Sequence, residues 1–246
     1  MSEDGGRHAL GYGSADGDLV RAYKSKDVMR AAASWIAATA LPEGFTWIQS
    51  KKCLERKADG RQESIALSSS YRNRPDKDIQ IWIEALEVRE RDLLLWRRRH
   101  PDFTLERPGG MDDLVCASSY IDFCDQLEEY QVNLTVYDER PARLSVLADH
   151  VRRIALPWFQ ATAEPGSLAD SVWDEMILDS ASDLMEYAVS KDLPGQARSI
   201  LDRARNLAFA EEILNEGRFL AEQGRKPAWN SPHSVGWTAA KLNLLD

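Results

Sequence analysis

Apolar and polar positions alternate along this chain in three successive regimes. From Asp27 onward, Val28, Ala31, Ala32, Trp35, Ile36 and Thr39 recur at three- and four-residue steps, the period of one helical face. Asp27 carries an N-cap side chain, and Leu41-Pro42-Glu43-Gly44 ends the pattern because proline cannot continue a helix. The period then shortens to two. Phe45–Ser50, Cys53–Lys57, Glu63–Ser70, Asp78–Glu87 and Gln131–Tyr137 read as strands rich in β-formers. Asp59-Gly60 is a two-residue hairpin signal, and the Arg72–Asp76 segment is a loop. In the fourth strand Ile79, Ile81, Ile83 and Ala85 share one face while Gln80, Trp82 and Glu84 share the other. In the fifth, Val132, Leu134 and Val136 oppose Asn133, Thr135 and Tyr137. The pattern predicts an antiparallel sheet with one face on a core. Leu93–Trp96 followed by Arg97-Arg98-Arg99 reads as the last turn of a helix, where the dipole favours cations.

After Pro141 the helical period returns and persists. Arg143–Leu156 is stopped by Pro157, and Ser167–Ala188, Gln196–Leu207 and Ala208–Gln223 follow, with Gly224 as the C′ residue. The last twenty residues read as an extended tail that docks back to keep Trp229 and Trp237 dry. The expected class is α+β, an N-terminal helix and antiparallel sheet followed by an all-helical half. Its expected divisions are a flexible tail over 1–22, a sheet domain over 23–139, a helical region packed on it over 140–225, and a C-terminal tail over 226–246.

Composition leaves the class of ordinary globular proteins in place: 43% of the 246 residues are hydrophobic and 29% charged. No apolar run reaches the roughly 18 residues that would span a bilayer. The first twenty residues lack the pattern of a secretory leader, and three unrelated Cys suit free thiols, so the expectation is a cytoplasmic protein.

Charge changes the picture more. The net charge is −9, and residues 108–139 hold eight acidic side chains and no Lys or Arg. Asp112, Asp113, Asp122, Asp125, Glu128 and Glu129 form the candidate partner-binding set, because uncompensated carboxylates attract basic surfaces and repel phosphate. They alternate with Leu114, Tyr120, Ile121, Phe123 and Leu127, which favours ordered structure over an acidic tail.

Other chemistry is weaker. Cys53, Cys116 and Cys124 with His8, His100, His150 and His233 include no local nucleophile signature, and Ser68-Ser69-Ser70 has no nucleophile elbow. Gly11-Tyr12-Gly13-Ser14 lacks the strand before and the Lys-Ser/Thr after that a phosphate loop needs. Glu175, Asp179, Asp183 and Glu186 make a carboxylate stripe, for which a solvated helix face is the simpler reading than a metal site. No cofactor is expected. Residues 51–107 hold fourteen basic and eleven acidic side chains, too slight a balance to favour nucleic acid. Of the tryptophans, Trp35, Trp82 and Trp173 are expected in the core and Trp96, Trp229 and Trp237 at an interface.

Phe45-Thr46-Trp47 after a helix, Leu54-Glu55-Arg56, Ile65–Ser70, Ile79–Ile83 and the later Leu156-Pro157-Trp158-Phe159 together resemble an uncharacterised family of bacterial α+β domains, over about residues 27–225. The resemblance implies an accessory or immunity-like protein and carries no catalytic residues. The expected function is a non-enzymatic module that binds a basic protein through the acidic segment, as an immunity protein meets a cationic toxin. The alternatives are a hydrolase or nucleotide-handling enzyme with a cleft between sheet and helices near Glu175, Asp179, Asp183, His150 and Arg153, and nucleic-acid binding through segment 51–99.

Overall fold

The helical period over 28–39 becomes a helix, α2 (Ser25–Ala40), whose Val28, Ala32, Ala33, Trp35 and Ile36 are buried; Asp27 is not its N-cap but lies in its first turn, behind an N-cap at Lys24. A computed structural model describes residues 15–245 apart from 76, 208 and 210. A short helix precedes α2, α1 (Ala15–Arg21), with Leu19 buried. The expected flexible tail is corrected from Ala15 onward; its remainder, with His8 and the Gly11–Ser14 run, lies outside the described residues. The reason is a long-range cap. The fully buried Arg140 donates to the Leu19, Ala22 and Leu134 carbonyl oxygens at 2.7–2.8 Å and stacks over Tyr137 at 4.2 Å. A cation at a helix C-terminus satisfies carbonyls that lack intrahelical donors.

The sheet is antiparallel throughout. Its strands are β1 (Thr46–Ile48), β2 (Cys53–Ala58), β3 (Arg61–Ser69), β4 (Gln80–Glu90), β5 (Leu114–Ser119) and β6 (Gln131–Asn133), in the order β1-β2-β3-β4-β5 with β6 also on β4. β6 pairs with Gln80–Trp82 and β5 with Ala85–Arg89, so both share one side of β4. Asp59 and Gly60 take positive φ of 51° and 82°, the mirror-image turn that matches strand twist. The alternation expected in β4 holds through Ile83 and then changes phase. A bulge in register leaves Glu84 without a partner on β3, and Leu86 and Val88 are buried instead of Ala85. The expected strand Gln131–Tyr137 is shorter, ending at Asn133. Beyond it Thr135 accepts the Ile79 N–H through its side-chain oxygen, at 2.9 Å, so a hydroxyl takes over from the ladder.

The helices after β4 are α3 (Arg91–Arg99), α4 (Leu127–Tyr130), α5 (Arg140–Ala161), α6 (Leu168–Ser171), α7 (Asp174–Ser190), α8 (Pro194–Leu207), α9 (Glu211–Glu222) and α10 (His233–Lys241). Pro157 does not stop α5. The helix forfeits one hydrogen bond there and continues for another turn, which buries Trp158 and Phe159. The extended C-terminal tail is also corrected: it contains α10, and Trp237, expected at an interface, lies on the buried face of that helix, 1% exposed. α10 crosses α9 at glycines. A Cβ on Gly236 would lie 2.2 Å from the Leu214 carbonyl oxygen, and one on Gly217 would lie 2.3 Å from that of His233. Backbone therefore touches backbone, which only glycine allows. One continuous core takes residues from α2, β2–β5, α5, α7 and α8, so sheet and helices share a single interior.

Candidate functional site

The six candidate acids occupy two places. Asp112 and Asp113 precede β5, whereas Asp122, Asp125, Glu128 and Glu129 follow it, on a lobe made of a 3₁₀ turn (Tyr120–Phe123) and α4. The lobe is anchored from below by its aromatics. The buried Tyr120 hydroxyl bonds His150 Nδ1 at 2.7 Å, and Phe123 meets Trp173 edge-on with centroids 5.5 Å apart. Two acids are neutralised internally: Asp113 by Arg89 at 3.1 Å and Glu129 by Arg153 at 3.4 Å. Glu129 lies below the usual carboxylate range; burial alone would raise it, but the Asp125 and Gln126 N–H groups and His150 outweigh that. Asp112, Asp122, Asp125 and Glu128 have no ion pair among the described residues. Three of these four sit on the lobe beside Ile121 and Leu127, which are 48% and 64% exposed. The adjoining surface of β6 and α5 continues this character, with Val146 half exposed over a hollow of about 330 Å³ bordered by Glu128, Glu139 and Arg143.

The basic segment is engaged within the fold. Arg56 faces Glu63 directly across β2 and β3, and their side chains are hydrogen-bonded. Lys51 and Lys57 flank the buried Glu55 at 2.8 and 2.9 Å. Arg61 caps the end of α5, donating to the Phe159 and Thr162 carbonyl oxygens at 2.6 and 3.1 Å. Of the three consecutive arginines, Arg97 alone turns inward.

The carboxylate stripe of α7 is solvated only in its first half, at Glu175 and Asp179; the simpler expectation of a solvated face is corrected for Asp183 and Glu186. Asp183 and Glu186 are 1% and 0% exposed, and two guanidinium groups neutralise them. Arg97 donates to Glu186 Oε2 at 2.6 Å and to Asp183 Oδ1 at 2.7 Å; Arg107 donates to the same two oxygens at 2.6 and 2.7 Å. Trp229 donates its indole N–H to the other Asp183 oxygen at 2.9 Å. Two charges of each sign thus balance inside the protein, the condition under which such burial is tolerated. Glu186 Oε1 alone has no partner.

One turn earlier, α7 is kinked. Ser180 leaves the helical region (φ −138°, ψ 21°), and its hydroxyl accepts the Ala117 N–H at 3.0 Å and donates to the Ala117 carbonyl at 3.1 Å. The side chain therefore occupies the place of a neighbouring strand on β5. The kink opens two adjoining hollows of about 310 and 390 Å³ that share Asp179, Ser180 and Trp229 in their walls. Burial raises the Asp179 carboxyl above the usual range, Asp122 and Glu175 add to the rise, and the Ser118 hydroxyl opposes it. That hydroxyl, 3% exposed on its residue, approaches Asp179 without making a hydrogen bond.

The cysteines carry no activated nucleophile. Burial pushes the Cys53 and Cys116 thiols up, and burial with Glu129, Asp125 and Asp122 pushes Cys124 up to about 11. Cys124 Sγ is 4.0 Å from His150 Nδ1, but that nitrogen is held by Tyr120, and burial lowers the His150 pKa. A thiol and a neutral imidazole at neutral pH make an inert pair. Of the residues expected to gather in an enzyme cleft, Asp179 and Asp183 do line one hollow, but both Asp183 oxygens are already bonded. Among the described residues no cluster of His, Cys, Asp and Glu is placed to hold a metal, and no helix is long and apolar enough to cross a membrane. Sequence reasoning missed Ser118, Ser180 and Arg107. The Asp179-Ser180-Ala181-Ser182 run inside an otherwise apolar helix was the available signal for the kink. Compared with known proteins, the chain matches no family model, no curated protein and no solved structure.

Proposed function

We propose that this chain is a non-enzymatic, immunity-like binding protein that docks a basic protein on the lobe between β5 and β6. The observation that carries the reading is the coexistence of unpaired Asp122, Asp125 and Glu128 with exposed Ile121 and Leu127 on one rigidly anchored element. Unpaired carboxylates steer a cationic partner and fix its orientation, while the apolar side chains supply area whose desolvation holds it. The lobe is held from below by Tyr120, His150, Phe123 and Trp173, so little ordering cost attends binding. Asp112 and Asp113 fall outside this surface, at the other end of β5.

An arginine-rich peptide titrated into the full chain tests the reading. Raising salt from about 0.01 M to about 0.15 M shortens the Debye length from about 30 Å to about 8 Å and should weaken binding steeply. The triple variant D122N/D125N/E128Q should lose most of the affinity, and D112N none. Binding that ignores salt, or that survives the triple variant, overturns it.

A further inference from the structure

We propose that the groove beside the α7 kink, where Asp179 and Ser118 face each other next to Trp229, is a socket for a guanidinium group presented by an arginine side chain of the basic partner. The inference deepens the reading above and rests on it only for the source of the guanidinium. Neither hollow has a Lys, Arg or His in its wall, while Asp179 and Glu84 border it and Asp122 and Glu175 add their fields at Asp179. The potential there is negative and selects a cation.

Three further features narrow the cation to a planar one. Asp179 offers a carboxylate edge that a guanidinium can engage with two parallel N–H donors, as a compact ammonium cannot. The buried Ser118 hydroxyl has no partner, and a buried polar atom left so is costly unless a ligand meets it. The Trp229 indole is pinned by its N–H to Asp183, presenting a fixed aromatic wall on which a guanidinium stacks. The acidic lobe is electrostatically continuous with the socket, since Asp122 acts on Asp179.

The test is calorimetric titration of the full chain with arginine amide, lysine amide and citrulline amide, the last an uncharged isostere. Arginine amide should bind at one site, with lysine amide weaker and citrulline amide at least about tenfold weaker, the worth of one charge-assisted hydrogen bond. D179N should lose about tenfold or more and S118A less, while D112N should match the parent. Asp179 is solvent-exposed and has no ion pair among the described residues, so D179N should melt with the parent, which separates lost binding from lost folding. Absence of saturable arginine amide binding, or full binding by D179N, overturns the socket even where the lobe binds its peptide in a salt-dependent way. Saturable arginine amide binding without any peptide association overturns the partner as the source and leaves the site to a free guanidino compound.

Discussion

Replacing Arg97 by methionine leaves the stem in place and removes the head of a residue 4% exposed. Its head group makes four hydrogen bonds, to Asp183, to Glu186, and to the Asp112 and Leu114 carbonyl oxygens, at 2.6–2.9 Å. Arg107 remains, so the enclosed cluster changes from balanced to one net negative charge, and the Asp112 and Leu114 carbonyls lose their donor. Breaking a buried pair by deleting one partner costs about 3–5 kcal/mol. For a chain of this length each kcal/mol moves the melting temperature by about 2–4 °C, so R97M should melt about 6–20 °C lower. Urea titration, read at the midpoint with an unchanged slope, measures the same loss. The neighbouring Arg98 is exposed, and R98M should fall within about 0.5 kcal/mol of the parent. R97M/E186Q restores charge balance and should cost less than the two single changes together, by about 1 kcal/mol or more. An R97M protein within about 1 kcal/mol of the parent, or a strictly additive double variant, refutes the view that balanced charge holds α3, β5 and α7 together.

Gly236→Ala drives a methyl into the Leu214 backbone and should cost at least about 1–3 kcal/mol, with Trp237 fluorescence shifting toward that of a wet indole; an unperturbed melt and spectrum would show that α9 and α10 can separate freely. His150 is held below its usual pKa by burial, so the unfolded chain takes up its proton first as pH falls. Its contribution is complete above about pH 6.5 and is lost as pH drops toward the lower folded pKa. The melting temperature should therefore fall between pH 7.5 and 5.5 in the parent and fall less in H150Q, whereas equal slopes in the two proteins would contradict it.

Much of the fold was legible because short-range periods decide it. The helix after Asp27, the Asp59-Gly60 hairpin and the Arg97–Arg99 helix end follow from local chemistry. What escaped depended on partners distant in sequence. α1 is fixed by Arg140, more than a hundred residues away, and Pro157 is tolerated because the turn beyond it is buried. The phase change at Glu84 is a bulge that strict alternation cannot announce. For the site, the unpaired acids at Asp122, Asp125 and Glu128 were visible as a run without counter-charges. The division of the six acids between two ends of a strand was not, since β5 itself carries too little alternation to stand out. The stripe on α7 misled because spacing gives a face but not what packs on it, and here arginines from α3 and from the loop after it do.

The Ser180 hydroxyl, by meeting both the N–H and the carbonyl of Ala117, seals a border at which an added strand could otherwise hydrogen-bond. With α7 packed along β5, this edge of the sheet is closed by a helix rather than by another strand. Removing that hydroxyl should strand the Ala117 N–H and carbonyl beneath the helix, so that a change of one oxygen atom is read out as a lower melting temperature.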